Sequence, residues 1–248
     1  MTATKDWLKA SWTAGIDLLR PVSDREIGDA PSPTPALVKS SVVVPIRSLG
    51  PAYRERIAAH LLALEGPDRY LRFGYVASDA QIERYVAQLD FERDEIFGIY
   101  NRRLELIAMA HLAFAEHPEH HQCAEFGVSV LKKARGRGYG GRLFERAVIH
   151  ARNAGVHMMF IHALSENTAM LKIARNAGAA VHRDGAESEA FLELPPGNLD
   201  TRMAEIIEHR FAELDYQFKR QAKQFADFLA RLQELRFGGR LAPGKPLD

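Results

Sequence analysis

Arg135-Gly136-Arg137-Gly138-Tyr139-Gly140 is the stretch on which the reading of this chain turns. It lies between a run with strand character, Ala124 to Val130, and an amphipathic segment that starts near Tyr139. Glycines at alternate positions remove Cβ atoms, so the backbone can approach a ligand closely and take positive φ without strain. N–H groups left unpaired at a helix start then face a concavity, with the positive end of the helix dipole behind them. Such a cradle suits phosphate or pyrophosphate, and Arg135 and Arg137 add mobile positive charge. Two widespread phosphate loops do not fit. No Gly-Lys-Ser/Thr follows the glycines, and the spacing of a dinucleotide fingerprint is not met.

Working outward, periodicity predicts a helix over 139–154 with Tyr139, Leu143, Ala147 and Ala151 on one stripe and Gly155 just past its end. A strand at about 122–131 precedes it and a buried strand, 156–164, follows. Upstream, the β-branched run Ser41-Val42-Val43-Val44 opens a domain. Helices are expected at about 51–65 and 79–88, then strands at 95–101 and 104–114 joined by Asn101-Arg102-Arg103. Downstream come a helix at 167–177 and strands near 179–183 and 188–194, closed by Pro195-Pro196-Gly197. The order is β-α-α-β-β-β-α-β-α-β-β, an α/β (α+β) domain with a mixed, mostly antiparallel central sheet flanked by helices.

Three segments follow. Residues 1–39 hold a short helix bearing Trp7, Leu8, Trp12, Ile16 and Leu19, then a Pro-rich arm from Pro21 to Pro35. Residues 40–197 form the compact domain. Residues 198–248 hold a long amphipathic helix whose apolar positions, Met203, Ile207, Phe211, Leu214, Phe218, Ala222, Phe225, Leu229 and Leu232, step by three or four. From Leu199 to Arg236 it would span about 57 Å, more than the roughly 35–40 Å of such a domain. Part of it is expected to cover a second subunit or the N-terminal arm, so a homo-oligomer is expected.

Composition narrows the classes. The 33 Lys and Arg nearly balance 32 Asp and Glu, which gives no bulk attraction to nucleic acid or anionic membrane. The single cysteine, Cys123, permits neither an internal disulfide nor a thiolate zinc site. No apolar run spans a bilayer, and the first residues lack the pattern of a secretory signal, so a soluble cytoplasmic protein is expected.

The glycine turn resembles the Arg/Gln-x-x-Gly-x-Gly/Ala signature of the GNAT N-acetyltransferases, and the resemblance covers roughly residues 41–195. Within that superfamily the chain is most similar to the acetyltransferase domain of bacterial Pat-type protein lysine acetyltransferases. The segments Asp68-Arg69-Tyr70-Leu71-Arg72-Phe73, Cys123 to Val128, and Leu164-Ser165-Glu166-Asn167 with Met170-Leu171 carry this likeness. It implies a GNAT fold and acetyl-CoA as cosubstrate. Cofactor contacts fall on Val128, Val130, Arg135, Gly136, Arg137, Gly138, Tyr139, Gly140, Gly141 and Asn167. The acceptor is a primary amine, a protein lysine or a small molecule. A non-catalytic acyl-CoA-binding regulatory or assembly domain is the alternative from another class. Two residues depart from the pattern: Ala174 stands where many members carry a tyrosine acid, and Ala179 where most have phenylalanine.

Glu125 is the candidate general base. An amine acceptor has a pKa near 10.4 and must lose a proton before or during attack. On a strand Glu125 shares a face with Gly127 and Ser129, small neighbours expected to leave room for a substrate. Its bland counterpart is a solvent-facing or arginine-paired carboxylate. A backbone N–H at Val130 or its neighbour is implied as donor to the developing oxyanion. With Ala174 in place of tyrosine, the thiolate's proton comes from water, Ser165 or another residue. Asn167 also fits a plain helix N-cap. Tyr70, Arg72 and Phe73 are either substrate-side residues or packing. His111, His117, His120 and His121 read as a polar loop rather than a metal site, and no metal is expected. Asp90, Glu92, Asp94 and Glu95 either attract a cationic acceptor or form a solvated turn.

Overall fold

The structure is a computed structural model that describes residues 44–115 and 122–238. The proposed Trp7/Trp12 helix, the Pro-rich arm, Ser41 to Val43, and His117, His120 and His121 lie outside those residues.

Seven strands form one sheet in the order β1-β2-β3-β4-β5-β7-β6. They are β1 (Arg47–Ser48), β2 (Glu95–Tyr100), β3 (Leu106–Phe114), β4 (Cys123–Val130), β5 (Met158–Leu164), β6 (Ala180–Asp184) and β7 (Glu187–Glu193). Only β4 and β5 run parallel; every other neighbour pair is antiparallel. The helices are α1 (Arg54–Leu62), α2 (Gly66–Phe73), α3 (Asp79–Ala87), α4 (Tyr139–Asn153), α5 (Thr168–Asn176) and α6 (Leu199–Gly238). The first strand described is thus Arg47–Ser48, later than the β-branched run expected to open the domain.

Helix α2 is the element that periodicity does not reveal, because eight residues are too few for a repeat. Its punctuation is nonetheless in the sequence. Pro67 sits in its first turn and Gly74, at φ 78°, ends it in the left-handed conformation. Helix α3 is started by a capping box, in which Ser78 and Gln81 exchange side-chain and backbone bonds.

Two apolar layers enclose the sheet. On one face α4 and α5 bring Leu143, Phe144, Ala147, Ala151, Met170, Leu171 and Ala174 against Phe97, Ala124, Phe126 and Ile161. Phe126 and Phe144 meet edge to face, ring centroids 5.0 Å apart. On the other face α1 and α3 bury Ile57, Leu61, Ile82 and Val86 with Ile96, Leu106 and Met109. Gly155, at φ 81°, takes the left-handed turn after α4 that its position in the sequence foretold.

Helix α6 is continuous over 40 residues, about 60 Å. Its packing face is the reverse of the one its apolar periodicity suggests. Thr201, Ala212 and Tyr216 are buried, and Glu205 bonds Arg146, His150 and Asn153 of α4. Those bonds hold the Glu205 carboxyl down at about 2, although burial pulls it the other way. Further along, Tyr216 accepts from Arg56 at 2.8 Å and Lys219 Nζ donates to the Tyr100 carbonyl. Leu199, Met203, Ile206, Ile207, Phe211, Leu214, Phe218, Phe225, Phe228 and Leu229 are all exposed. From Gln221 to Arg231 every residue is exposed. No helix among the described residues is long and apolar enough to cross a membrane.

Candidate active site

Strands β4 and β5 pair only over Cys123–Glu125 and Met158–Phe160, although β4 runs on to Val130 and β5 to Leu164. Beyond Glu125 the two parallel strands part and a wedge opens. The ladder shows which backbone groups line it. Ala115 N–H donates to Cys123 O, and Leu131 N–H to Ile107 O, in the same antiparallel register. Odd-numbered residues of β4 therefore turn their peptide groups to β3, and the even-numbered Val128 and Val130 turn theirs to the β5 side. Where the pairing has ended, their N–H groups face the wedge.

At the end of β4 the chain makes a 3₁₀ turn, Lys132–Ala134, then the glycine turn. Gly136 and Gly138 both stand at φ 76°, and Gly138 is the N-cap of α4. No side chain caps this helix and its first turn holds no acidic residue. The first bond back to the cap is Arg142 N–H to Gly138 O, so the N–H groups ahead of it have no intrahelical acceptor. An anion seated there meets unpaired donors and the dipole's positive end. The chemistry of this donor set fits a pyrophosphate. Arg137 is exposed and has no partner among the described residues. Arg135, by contrast, is held: its Nε donates to Val130 O at 3.1 Å and its guanidinium pairs with Asp68. The mobile charge expected of both arginines therefore resides in Arg137. Gly140 packs against α5, where a Cβ would lie 3.1 Å from Ile173 Cδ1, while Gly141 has open space around it.

Helix α2, unforeseen as an element, touches every part of this site. Asp68 holds Arg135 of the glycine turn, Leu71 O accepts weakly from Asn167 Nδ2 at 3.5 Å, and Arg72 lies over β4. Asn167 is also the N-cap of α5, accepting from Met170 N–H at 3.1 Å. The plain capping role is present, with the amide nitrogen aimed at α2.

Glu125, Gly127 and Ser129 project from the α1–α3 face of β4. Glu125 is half-buried and has no hydrogen bond or ion pair among the described residues, so the arginine-paired alternative does not describe it. Its charge is felt at Tyr85, whose pKa is raised first by burial, with Glu125 and Asp94 adding to it against the opposing Arg72. The space expected above Gly127 and Ser129 is filled. A Cβ on Gly127 would lie 2.8 Å from Arg72 Cζ, and Ser129 Oγ is bonded to His60 Nε2 at 2.8 Å. Beyond Arg72 runs a polar chain. Arg72 Nη2 donates to Tyr85 Oη at 3.1 Å, Tyr85 Oη and His111 Nδ1 are 2.7 Å apart, and His111 Nε2 meets Asp94 at 2.9 Å.

These bonds settle several expectations. His111 is not in a loop; it stands on β3, bonded to tyrosine and aspartate. Asp94 is buried and serves His111, Arg93 and Phe114 N–H, while Asp90 accepts from Glu92 and Arg93 N–H, so neither is free to draw in a cation. Ser165 Oγ is taken up by Gly185 O, Glu187 O and Ser188 Oγ, which removes it as a thiolate acid. Ala174 is wholly buried in the α5 core and leaves no polar group at that position.

Known proteins share this architecture. The profile of the Acetyltransferase (GNAT) family matches residues 60–179. The GNAT domain of S. lividans PAT superposes with a TM-score of 0.53 at 20% identity, over 62% of this chain and 96% of that one. A GNAT-superfamily phosphinothricin acetyltransferase from Sinorhizobium meliloti, in complex with AcCoA, gives 0.52 at 15% identity, over 63% and 91%. An acetyltransferase of the GNAT family from Streptococcus pneumoniae gives 0.50 at 12%, over 60% and 98%. At these identities the likeness is one of fold. No curated protein matches at the level of sequence. The wedge and the uncapped helix start both lie within residues 60–179, the stretch that matches the GNAT acetyltransferase profile, and the fold around them is that of GNAT domains.

Proposed function

We propose that this protein transfers acetyl from acetyl-CoA to a primary amine, with Glu125 as general base. The observation that carries the reading is a carboxylate without a partner among the described residues, on the strand that opens the wedge. The N–H groups of the glycine turn and the α4 start hold the pyrophosphate, Arg137 adds charge, and the open edge of β4 at Val128 and Val130 receives the pantetheine arm. An ammonium acceptor gives one proton to Glu125, directly or through water. The amine nitrogen attacks the thioester carbonyl, the Val130 N–H donates to the oxygen as negative charge builds, and the C–S bond breaks. The departing thiolate takes the second amine proton from the adduct or from water, which balances the step without a tyrosine at position 174.

Protein lysine is the leading acceptor by the resemblance to Pat-type enzymes, and small amines are the second class. The test is thiol release from acetyl-CoA with pools of peptides, polyamines and amino acids. Glu125→Gln should lower turnover by about 10²–10⁴-fold while leaving the thermal shift with CoA unchanged. Equal turnover for wild type and variant across pH 6–9 would remove Glu125 from the mechanism. Absence of turnover with a preserved CoA shift would favour a non-catalytic acyl-CoA-binding domain.

We also propose that the outward face of α6 joins two copies of the chain. The ten exposed apolar side chains named above, at roughly 100 Å² each, present about 1,000 Å², and a standard interface takes about 800 Å² from each partner. Monomers rarely leave such a patch open.

A further inference from the structure

We infer that Arg72 is the anchor for a carboxylate on the acceptor, so that the preferred amine carries a carboxylate within a few bonds of its nitrogen. The inference rests on the placement of Glu125 as base proposed above.

The argument starts from hydrogen-bond direction. Asp94 can only accept, so the His111 nitrogen beside it, Nε2, carries the proton. With a neutral ring His111 Nδ1 is an acceptor, and Tyr85 donates its O–H to it. The tyrosine oxygen is left to accept from Arg72 Nη2, as observed. Every member of the chain is satisfied with histidine and tyrosine neutral. The guanidinium is therefore held in place by a neutral oxygen, and its charge is not cancelled. Asp94 sits at the far end of the chain, and its own charge is spent on Arg93 and His111. Among the described residues Arg72 has no carboxylate partner; its other neighbours are the rings of Phe73 and Tyr85.

A half-buried guanidinium without a counter-ion leaves N–H donors in a fork that matches a carboxylate. It lies over Gly127, on the same strand face as Glu125 two residues earlier. A cation there repels a simple polyamine and attracts an amine whose negative group can reach the fork while its nitrogen faces Glu125. Both a free amino acid and a lysine flanked by an acidic side chain present that chemistry.

The test compares matched acceptors: L-lysine against cadaverine, L-methionine against L-methioninamide, and a lysine peptide with a neighbouring Glu against the same peptide with Gln. The wild type should favour the carboxylate member of at least one pair by about tenfold or more in kcat/KM, expressed mainly in KM. Arg72→Gln should bring that ratio close to one, with the acetyl-CoA thermal shift unchanged, and Arg72→Lys should restore only part of it. The amino-acid pairs and the peptide pair separate a free metabolite from an acidic peptide context. Calorimetric titration of N-acetyl-L-methionine in the presence of CoA gives a readout without turnover, and binding lost in Arg72→Gln supports the anchor. No preference in any pair, no binding of N-acetyl-L-methionine to the wild type, or a preference that survives Arg72→Gln overturns it. Failure of the Glu125 reading looks different: Glu125→Gln would keep full turnover while the carboxylate preference stayed intact.

Discussion

The Arg72 guanidinium occupies the space that a side chain on Gly127 would need, with an ideal Cβ only 2.8 Å from Arg72 Cζ. The atom in the way is the far end of a flexible side chain rather than backbone. Gly127→Ala should therefore fold, at a cost of about 1 kcal/mol, and displace Arg72 from the sheet face. Chemical denaturation measures the cost, and acceptor kinetics should follow those of Arg72→Gln. A loss several times larger would mean that β4 itself had shifted.

His60 predicts an acid-sensitive fold. Its Nδ1–H donates to Leu106 O at 2.9 Å and its Nε2 accepts from Ser129, an arrangement that requires the neutral ring. Burial, with the Arg72 charge, holds its pKa down from 6.5 to about 4, against the Leu106 hydrogen bond. As pH falls below 6.5 the unfolded chain takes a proton that the folded one refuses. The stability present above pH 6.5 should thus decline by about 3 kcal/mol on approach to pH 4. Urea unfolding at a series of pH values tests this, and His60→Gln should flatten the slope across that window.

Acetyl-CoA should raise the melting temperature, since a ligand that binds only the native state stabilises it by mass action. Gly138→Asp should abolish that rise. Its φ of 76° disfavours a side chain, and the new carboxylate would stand where an anion is to be held. A thermal-shift titration in which the variant responds like the wild type would place the pyrophosphate elsewhere.

The α6 proposal calls for the mass in solution. Light scattering should give a multiple of 27.8 kDa, and Phe218→Glu with Phe225→Glu should return the monomer. Both side chains are exposed, so the substitutions spare the intramolecular face. A truncation after Arg220 should act likewise. Removing all of α6 is a poorer test, because it would uncover Arg146 and Tyr100, which α6 covers through Glu205 and Tyr216. A wild-type monomer would overturn the proposal.

Much of this protein is legible in its sequence. Long amphipathic periods located α4 and α6, alternating and β-branched runs located β2 to β5, and glycine placed both the turn at Gly136–Gly138 and the end of α4 at Gly155. Those signals are local: a period, a missing Cβ, a cap. Tertiary structure decided what depends on who faces whom. The sequence shows an apolar stripe on α6, but only packing shows that Glu205 and Tyr216 face the domain while the phenylalanines face out. It shows Arg72, His111 and Asp94 as separate polar residues, tens of positions apart. Only the juxtaposition of α2, α3 and β3 joins them into one chain of bonds and leaves a guanidinium over Gly127. Hydrogen-bond partners distant in sequence leave no periodic trace, since their pairing is set by where the backbone carries each side chain.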